Sequence, residues 1–201
     1  SYIDYELIEI EQYKNRKFKN PKLKRLANTY INIQRNEREA IENQDLVDSI
    51  FVREWNKYQR KRYELLLDIN SIVGIPVQDK NSLDSILRAG KAIKEFNRVY
   101  GILVDTFNPK NFVVEEVTGV SEKEKRYIGD FENTTGHYIN YIDISIDFYD
   151  ENDKVYSGFQ FNPRYAWENG TKKSFEFSIP DSDTRFKYFK VNLGEKSFRF
   201  E

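Results

Sequence analysis

Tyr141-Ile142-Asp143-Ile144-Ser145-Ile146-Asp147-Phe148-Tyr149-Asp150 constrains the fold more than any other stretch of the chain. Ile142, Ile144, Ile146 and Phe148 fall on every second position, with Asp143, Ser145 and Asp147 between them. Successive side chains of a strand point to opposite faces, so this pattern predicts a strand with one apolar and one polar face. β-Branched and aromatic residues favour the same conformation. Asp150-Glu151-Asn152-Asp153 ends the run with a cluster of turn formers. The segments that follow must fold back onto the apolar face, which makes the region a sheet covered on one side.

Other segments of the second half show the same period of two. Phe112-Val113-Val114 through Val120 reads as a strand, followed by one with Tyr127, Gly129 and Phe131 on one face that ends at Asn133-Thr134-Thr135-Gly136. Val155, Ser157, Phe159 and Phe161 alternate next, then Phe175, Phe177 and Ile179, then Phe189, Val191 and Leu193, with a short terminal strand over residues 197–201. About seven short strands separated by Gly, Asn and Asp predict an antiparallel β-sandwich of immunoglobulin-like type. The chain has no cysteine, so a Cys…Trp…Cys core is excluded.

Before the breaker cluster Asn108-Pro109-Lys110-Asn111 the apolar period is close to 3.6. Ile3, Leu7 and Ile10 mark a short first helix. Leu23, Leu26, Tyr30 and Ile33 mark a second, with Pro21 at its first position and a break at Asn43-Gln44-Asp45. Asp45 is the expected N-cap of a third helix carrying Val47, Phe51, Trp55, Leu65 and Ile69, which Gly74-Ile75-Pro76 ends. Asn81 or Ser82 is the expected cap of a fourth, with Ile86, Gly90, Ile93, Phe96, Tyr100, Leu103 and Phe107 in its stripe. Gly90 costs about 1 kcal/mol relative to Ala inside a helix, and a close helix crossing would explain it. The expected architecture is therefore α+β in two parts: an antiparallel helical bundle over residues 1–110 and the β-sandwich over residues 111–201.

Charge narrows the partners. The chain carries 32 Lys and Arg against 33 Asp and Glu, without the domain-wide basic excess of a nucleic-acid-binding protein. Residues 14–25 are the local exception, with seven basic residues of twelve and no acidic one. Lys14, Arg16, Lys17 and Lys19 in this run are the candidate contacts with a membrane surface or another polyanion. A solvated connection between helices is the competing reading. No apolar run approaches the ~20 residues of a membrane span. The chain opens on Ser1, and an upstream export or anchoring segment is expected.

Motifs of catalysis are missing. His137 is the single histidine, has no nucleophile elbow, and reads as an exposed loop residue. Asp150-x-Asn152-x-Lys154 begins like a calcium loop, but Lys154 stands where an oxygen ligand belongs, and a hairpin turn explains it. Asp143 and Asp147 share a face about 13 Å apart at ~3.3 Å per residue, wider than the roughly 5–9.5 Å of glycosidase carboxylate pairs. There is no phosphate loop and no HExxH. No cofactor or metal is expected, and the chain reads as non-enzymatic. Tyr141, Tyr149 and Tyr156, with Trp167 in a loop, are the candidate binding residues, since exposed aromatics anchor partners or stack on sugar rings. Cross-strand packing accounts for tyrosines on such strands as well.

Residues 112–201 resemble the FxLYD domain, a small immunoglobulin-like module of bacterial extracytoplasmic proteins, often lipoproteins. Gly129-Asp130-Phe131-Glu132-Asn133 matches its G-x-V-x-N strand end, Ile146-Asp147-Phe148-Tyr149-Asp150 its F-x-L-Y-D element, and Gly170 with Phe175 and Phe177 its later strand. Ile146 replaces the leading Phe of that element and Phe148 its Leu. The resemblance implies a cell-envelope binding or spacer module, extracytoplasmic and lipid-tethered or secreted, whose partner is an envelope protein or polysaccharide. A carbohydrate-binding module on the sandwich face and a wall-polymer hydrolase with a site between the halves are the alternatives.

Overall fold

The computed structural model describes residues 2–42, 49–76, 79–118, 123–161, 166–194 and 196–201, and the side chains of residues 2 and 49–51 are not described. The expected break at Asn43-Gln44-Asp45, the Asp45 cap, Val47, the Phe51 side chain and the strand end at Val120 lie outside the described residues. The protein is α+β, with four helices followed by antiparallel strands. It divides into two compact units, residues 1–96 and 97–201.

The helices are α1 (Tyr2–Glu11), α2 (Pro21–Glu42), α3 (Ser49–Val73) and α4 (Lys80–Thr106). Pro21 opens α2 as expected, because its missing N–H is one a first-turn residue does not use. The Asn20 side chain caps this end by accepting from the N–H groups of Lys22 (2.9 Å) and Leu23 (3.2 Å). Gly74 follows α3 with a φ of +65° and donates to Asn70 O at 3.0 Å, a left-handed helix stop that favours glycine. The cap of α4 is neither Asn81 nor Ser82. Asp79 does this, accepting from both of their N–H groups at 3.0 and 3.3 Å, because its carboxylate precedes the first turn and faces its unsatisfied donors.

Polar partners between α2 and α3 run in opposite order, Tyr30 with Arg62 and Glu37 with Gln59, so these helices are antiparallel. The same holds for α3 and α4, where Arg60 lies over the Phe96 ring and Asp68 pairs with Lys94. A Cβ on Gly90 would stand 2.6 Å from the backbone oxygen of Tyr63. Only a residue without Cβ allows that approach of α4 to α3.

In the second unit a 3₁₀ turn (Pro109–Asn111) precedes, among the described residues, eight strands: β1 (Val113–Thr118), β2 (Lys123–Glu132), β3 (Ile139–Ile142), β4 (Ile144–Tyr149), β5 (Val155–Phe161), β6 (Lys172–Pro180), β7 (Tyr188–Asn192) and β8 (Phe198–Phe200). They form an antiparallel sheet β1-β2-β6, a second β5-β4-β7, and the pair β3-β8. The inner faces of the two three-stranded sheets meet through aromatic rings. Phe177 packs on Phe148 and Phe189 at 5.7 and 5.0 Å between centroids, and Phe175 packs on Phe161 at 5.1 Å. Each such pair contributes about 0.5–1.5 kcal/mol beyond its buried area.

One expectation about the strands changes. The stretch 141–150 keeps its alternation, with Ile142, Ile144 and Ile146 buried, but it is not one strand. Asp143 interrupts it, so β3 pairs with β8 while β4 pairs with β5 and β7. Alternation fixes which face each side chain takes, whereas ladder partners are set by distant segments. The compact units divide at 96/97, within α4, while the change from helices to strands falls after the 3₁₀ turn Pro109–Asn111. Val99, Leu103 and Phe107 are buried, and the Phe107 ring packs on Phe131, Phe175 and Trp167 at 5.2, 4.9 and 6.0 Å, which ties the end of the helical run to the strands.

Candidate functional site

The outward face of β5-β4-β7 carries Ser145, Asp147 and Tyr149 from β4, Tyr188, Lys190 and Asn192 from β7, and Gln160 from β5. Register places Tyr149 opposite Tyr188 and Asp147 opposite Lys190, and the core sides Phe148 and Phe189 point the other way, so these residues face outward. The Tyr149 and Tyr188 rings stack at 4.8 Å with planes 4° apart. Lys190 Nζ lies 4.5 Å from the Tyr149 centroid and 5.7 Å from that of Tyr188, within cation–π range.

The polar groups of this face are held by one another. Asn192 Nδ2 donates to Asp147 Oδ2 at 2.7 Å, and Gln160 Nε2 donates to Asp143 at 3.0 and 3.2 Å. The Tyr188 hydroxyl donates to Asp153 at 2.9 Å, and burial with that carboxylate pushes its pKa up. At the rim, the Tyr156 hydroxyl donates to Asp183 at 3.0 Å under the Arg185 guanidinium, 4.5 Å from its ring. Burial, then the Asp183 carboxylate, pushes its pKa up to about 12. The result is a rim of tyrosines and a row of carboxylate–amide pairs in fixed positions, which lowers the ordering cost of binding.

Of the sequence candidates, Tyr149 is central to this face. Tyr156 stands at its edge, where the β4–β5 register shifts between Phe148 and Tyr149. Tyr141, on β3, is 40 % exposed and reaches the face only through Asp143, with its hydroxyl 3.5 Å from that carboxylate. Trp167 is a correction: it is 1 % exposed. Its ring packs on Phe107 and Phe175 and its Nε1 donates to Thr171 O at 3.0 Å, so it offers nothing to a ligand. A loop position carries no periodicity from which burial could be read. Tyr188 and Lys190 were not singled out in the sequence, although the alternation of Phe189, Val191 and Leu193 assigns them to the opposite face.

Lys14, Arg16, Lys17 and Lys19 lie between α1 and α2, all exposed. The Arg16 guanidinium sits 4.6 Å over the Tyr13 ring and donates to Gln12 Oε1 at 3.3 Å. His137 Nδ1 stands 3.1 Å from Glu201 O beside the Phe200 ring. Asp150 Oδ1 accepts from the N–H groups of Asn152 and Lys154 at 2.9 Å each, a self-closed turn. Asp143 and Asp147 are each engaged by an amide side chain. Among the described residues no group of three His, Asp or Glu is placed to hold a metal, and no helix is long and apolar enough to cross a membrane.

A second polar cluster lies inside the helical unit. Glu6 Oε2 pairs with Arg62 at 2.6 Å, the Tyr30 hydroxyl donates to Glu6 Oε1 at 2.5 Å, and Arg62 Nε donates to Tyr30 at 3.0 Å. Gln59 donates to Glu37 Oε1, while Glu37 Oε2 and Gln34 Oε1 are buried without a hydrogen-bond partner among the described residues. Burial raises the pKa of Glu37 against the opposing pull of Arg62, and burial raises that of Tyr30. The cluster joins α1 to α2 and α3 rather than presenting groups to a ligand.

These features define an α+β protein with an aromatic β core and a preorganised polar–aromatic sheet face. No protein-family model matches the chain, and no curated protein matches it.

Proposed function

We propose that the protein is a non-enzymatic binding module of the bacterial cell envelope, acting outside the cytoplasm. Its strand unit is an FxLYD-like, immunoglobulin-like sandwich, and its ligand is an envelope polysaccharide or a protein displayed there. The observation that carries this reading is the outward face of β5-β4-β7, where Tyr149, Tyr188 and Lys190 stand among the pairs Asp147–Asn192 and Asp143–Gln160. Aromatic side chains of low conformational freedom beside fixed donors and acceptors supply contact area and hydrogen bonds together. Such a composition favours a polysaccharide, which presents hydroxyls and flat ring faces, over an apolar ligand. The carbohydrate-binding alternative therefore uses the same face, with Tyr149 and Tyr188 in place of Trp167. The exposed basic run that includes Lys14, Arg16, Lys17 and Lys19 adds a contact with an anionic surface.

The test is cosedimentation of the full chain with purified bacterial sacculi and with isolated wall polysaccharide. Binding is expected, and Tyr149→Ala and Tyr188→Ala are each expected to weaken it by about 2 kcal/mol, as hot-spot tyrosines do. Absence of binding, or equal binding by both variants and the parent, would remove this face from the function.

A further inference from the structure

We propose that the outward side of α1, with the basic segment after it, docks on an anionic lipid bilayer: Tyr5, Ile8 and Tyr13 enter the headgroup–acyl boundary while Lys14, Arg16, Lys17 and Lys19 meet the headgroups. This deepens the anionic-surface contact of the proposed function and rests on it. The helix buries Ile3 and Leu7 yet leaves Tyr5 76 % and Ile8 71 % exposed, and Tyr13 just beyond it 42 %. At 3.6 residues per turn, Tyr5 and Ile8 share one face, opposite Ile3 and Leu7. A ten-residue helix with apolar groups on both sides has a second surface to satisfy.

Charge selects what covers it. The acidic residues of α1 are drawn aside by the helices beneath: Asp4 pairs with Arg38 at 2.8 Å, Glu6 with Arg62 at 2.6 Å and Glu11 with Arg35 at 2.6 Å. Glu9 is the acidic residue left toward solvent. In contrast, the seven basic residues of the segment 14–25 make no salt bridge among the described residues. The tertiary structure thus turns a helix acidic in sequence into a surface whose uncompensated charge is positive. A soluble polyanion would satisfy the basic residues and leave Tyr5 and Ile8 in water, whereas a bilayer meets both needs.

The experiment is flotation of the full chain with vesicles of phosphatidylcholine alone or mixed with phosphatidylglycerol, with a soluble polyphosphate competitor as a further arm. Binding to the anionic vesicles is expected. Tyr5→Ser with Ile8→Ser should weaken it at least roughly tenfold, the loss of two partly buried apolar side chains from a boundary. Glu9→Lys should strengthen it by at least roughly fivefold. Both changes are at exposed positions, and circular dichroism checks that the fold is kept. An Ile8→Trp variant should be quenched by brominated lipid beyond the level of the parent's own tryptophans. If Tyr5→Ser/Ile8→Ser binds like the parent while neutralising Lys14, Arg16, Lys17 and Lys19 weakens binding, the contact is electrostatic only: the inference falls and the anionic-surface contact stands. Absence of vesicle binding with retention of polyphosphate also overturns the inference alone. Absence of both removes the anionic-surface contact itself.

Discussion

Glu37 has no exposed surface, and its Oε2 has no hydrogen-bond partner among the described residues. Burial holds its pKa above the ordinary carboxylate value of 4.5. An acid raised in the folded state contributes stability below its unfolded pKa and loses that contribution as pH rises through the folded one. Glu37→Gln removes the titration and keeps an acceptor for Gln59. The variant should exceed the parent in stability at pH 8 by about 1 kcal/mol, the lower range for relieving an unsatisfied buried group, and the gap should close toward pH 4. Urea denaturation at several pH values reads this, and a pH-independent gap would refute it. Asn133 is the opposite case, a buried polar residue with its capacity used. Its Nδ2 donates to His137 O and Trp167 O at 2.9 and 2.7 Å, and its Oδ1 accepts from the Thr135 N–H and hydroxyl at 3.0 and 2.6 Å. Asn133→Ala should cost about 2–3 kcal/mol by stranding these partners, measured by the shift of the denaturation midpoint. In sequence Asn133 reads as a turn former, because no period distinguishes an exposed turn amide from one that closes two loops.

Helix and strand identity follow local patterns, but the contacts of each element do not. Gly90 sits in α4 where Tyr63 O of α3 would meet a Cβ at 2.6 Å. On an isolated helix Gly90→Ala would stabilise by about 1 kcal/mol. In the protein it should destabilise, since a backbone oxygen cannot move aside as a flexible side chain would. The sign of the change in thermal midpoint tests the close approach, and a rise would refute it. The helix stripe around Gly90 and a close crossing there were legible from its spacing, while the partner, the Tyr63 backbone of α3, was not. In the same way β3 and β4 were legible as alternation, but the change of partner at Asp143 depends on β8 lying beside one and β5 and β7 beside the other.

At the scale of the molecule, the chain passes from one compact unit to the other within α4, at 96/97. Phe107, past the last turn of that helix, is 2 % exposed among Phe131, Phe175 and Trp167. Phe107→Ala should cost about 3–5 kcal/mol and act on the strand unit. Hydrogen exchange of the full chain should show faster exchange in β2 and β6 and little change in α2; equal acceleration in α2 would count against this assignment. The two tryptophans report separately on the chain. Trp167, with Trp55→Phe, should resist acrylamide quenching, because its ring lies within the aromatic core.

What the sequence determined by itself was period: helices, then strands, with the apolar faces of β2 and β6, Phe189 of β7, and Ile142, Ile144 and Ile146 buried as expected, whereas Val155 and Phe159 of β5 are 45 % and 44 % exposed. Those features depend on side-chain direction along one element, which repeats locally at 3.6 or 2 residues. The tertiary structure decided where the elements meet, and with that which polar groups are consumed. Trp167 became core, Glu37 became a buried acid, and Asp4, Glu6 and Glu11 of α1 turned toward Arg38, Arg62 and Arg35. The outward face of β5-β4-β7 arose the same way, from Tyr149 and Tyr188 lying 39 positions apart in the chain and stacked across one ladder. Burial and charge pairing are properties of partners distant in sequence, and no local pattern encodes them.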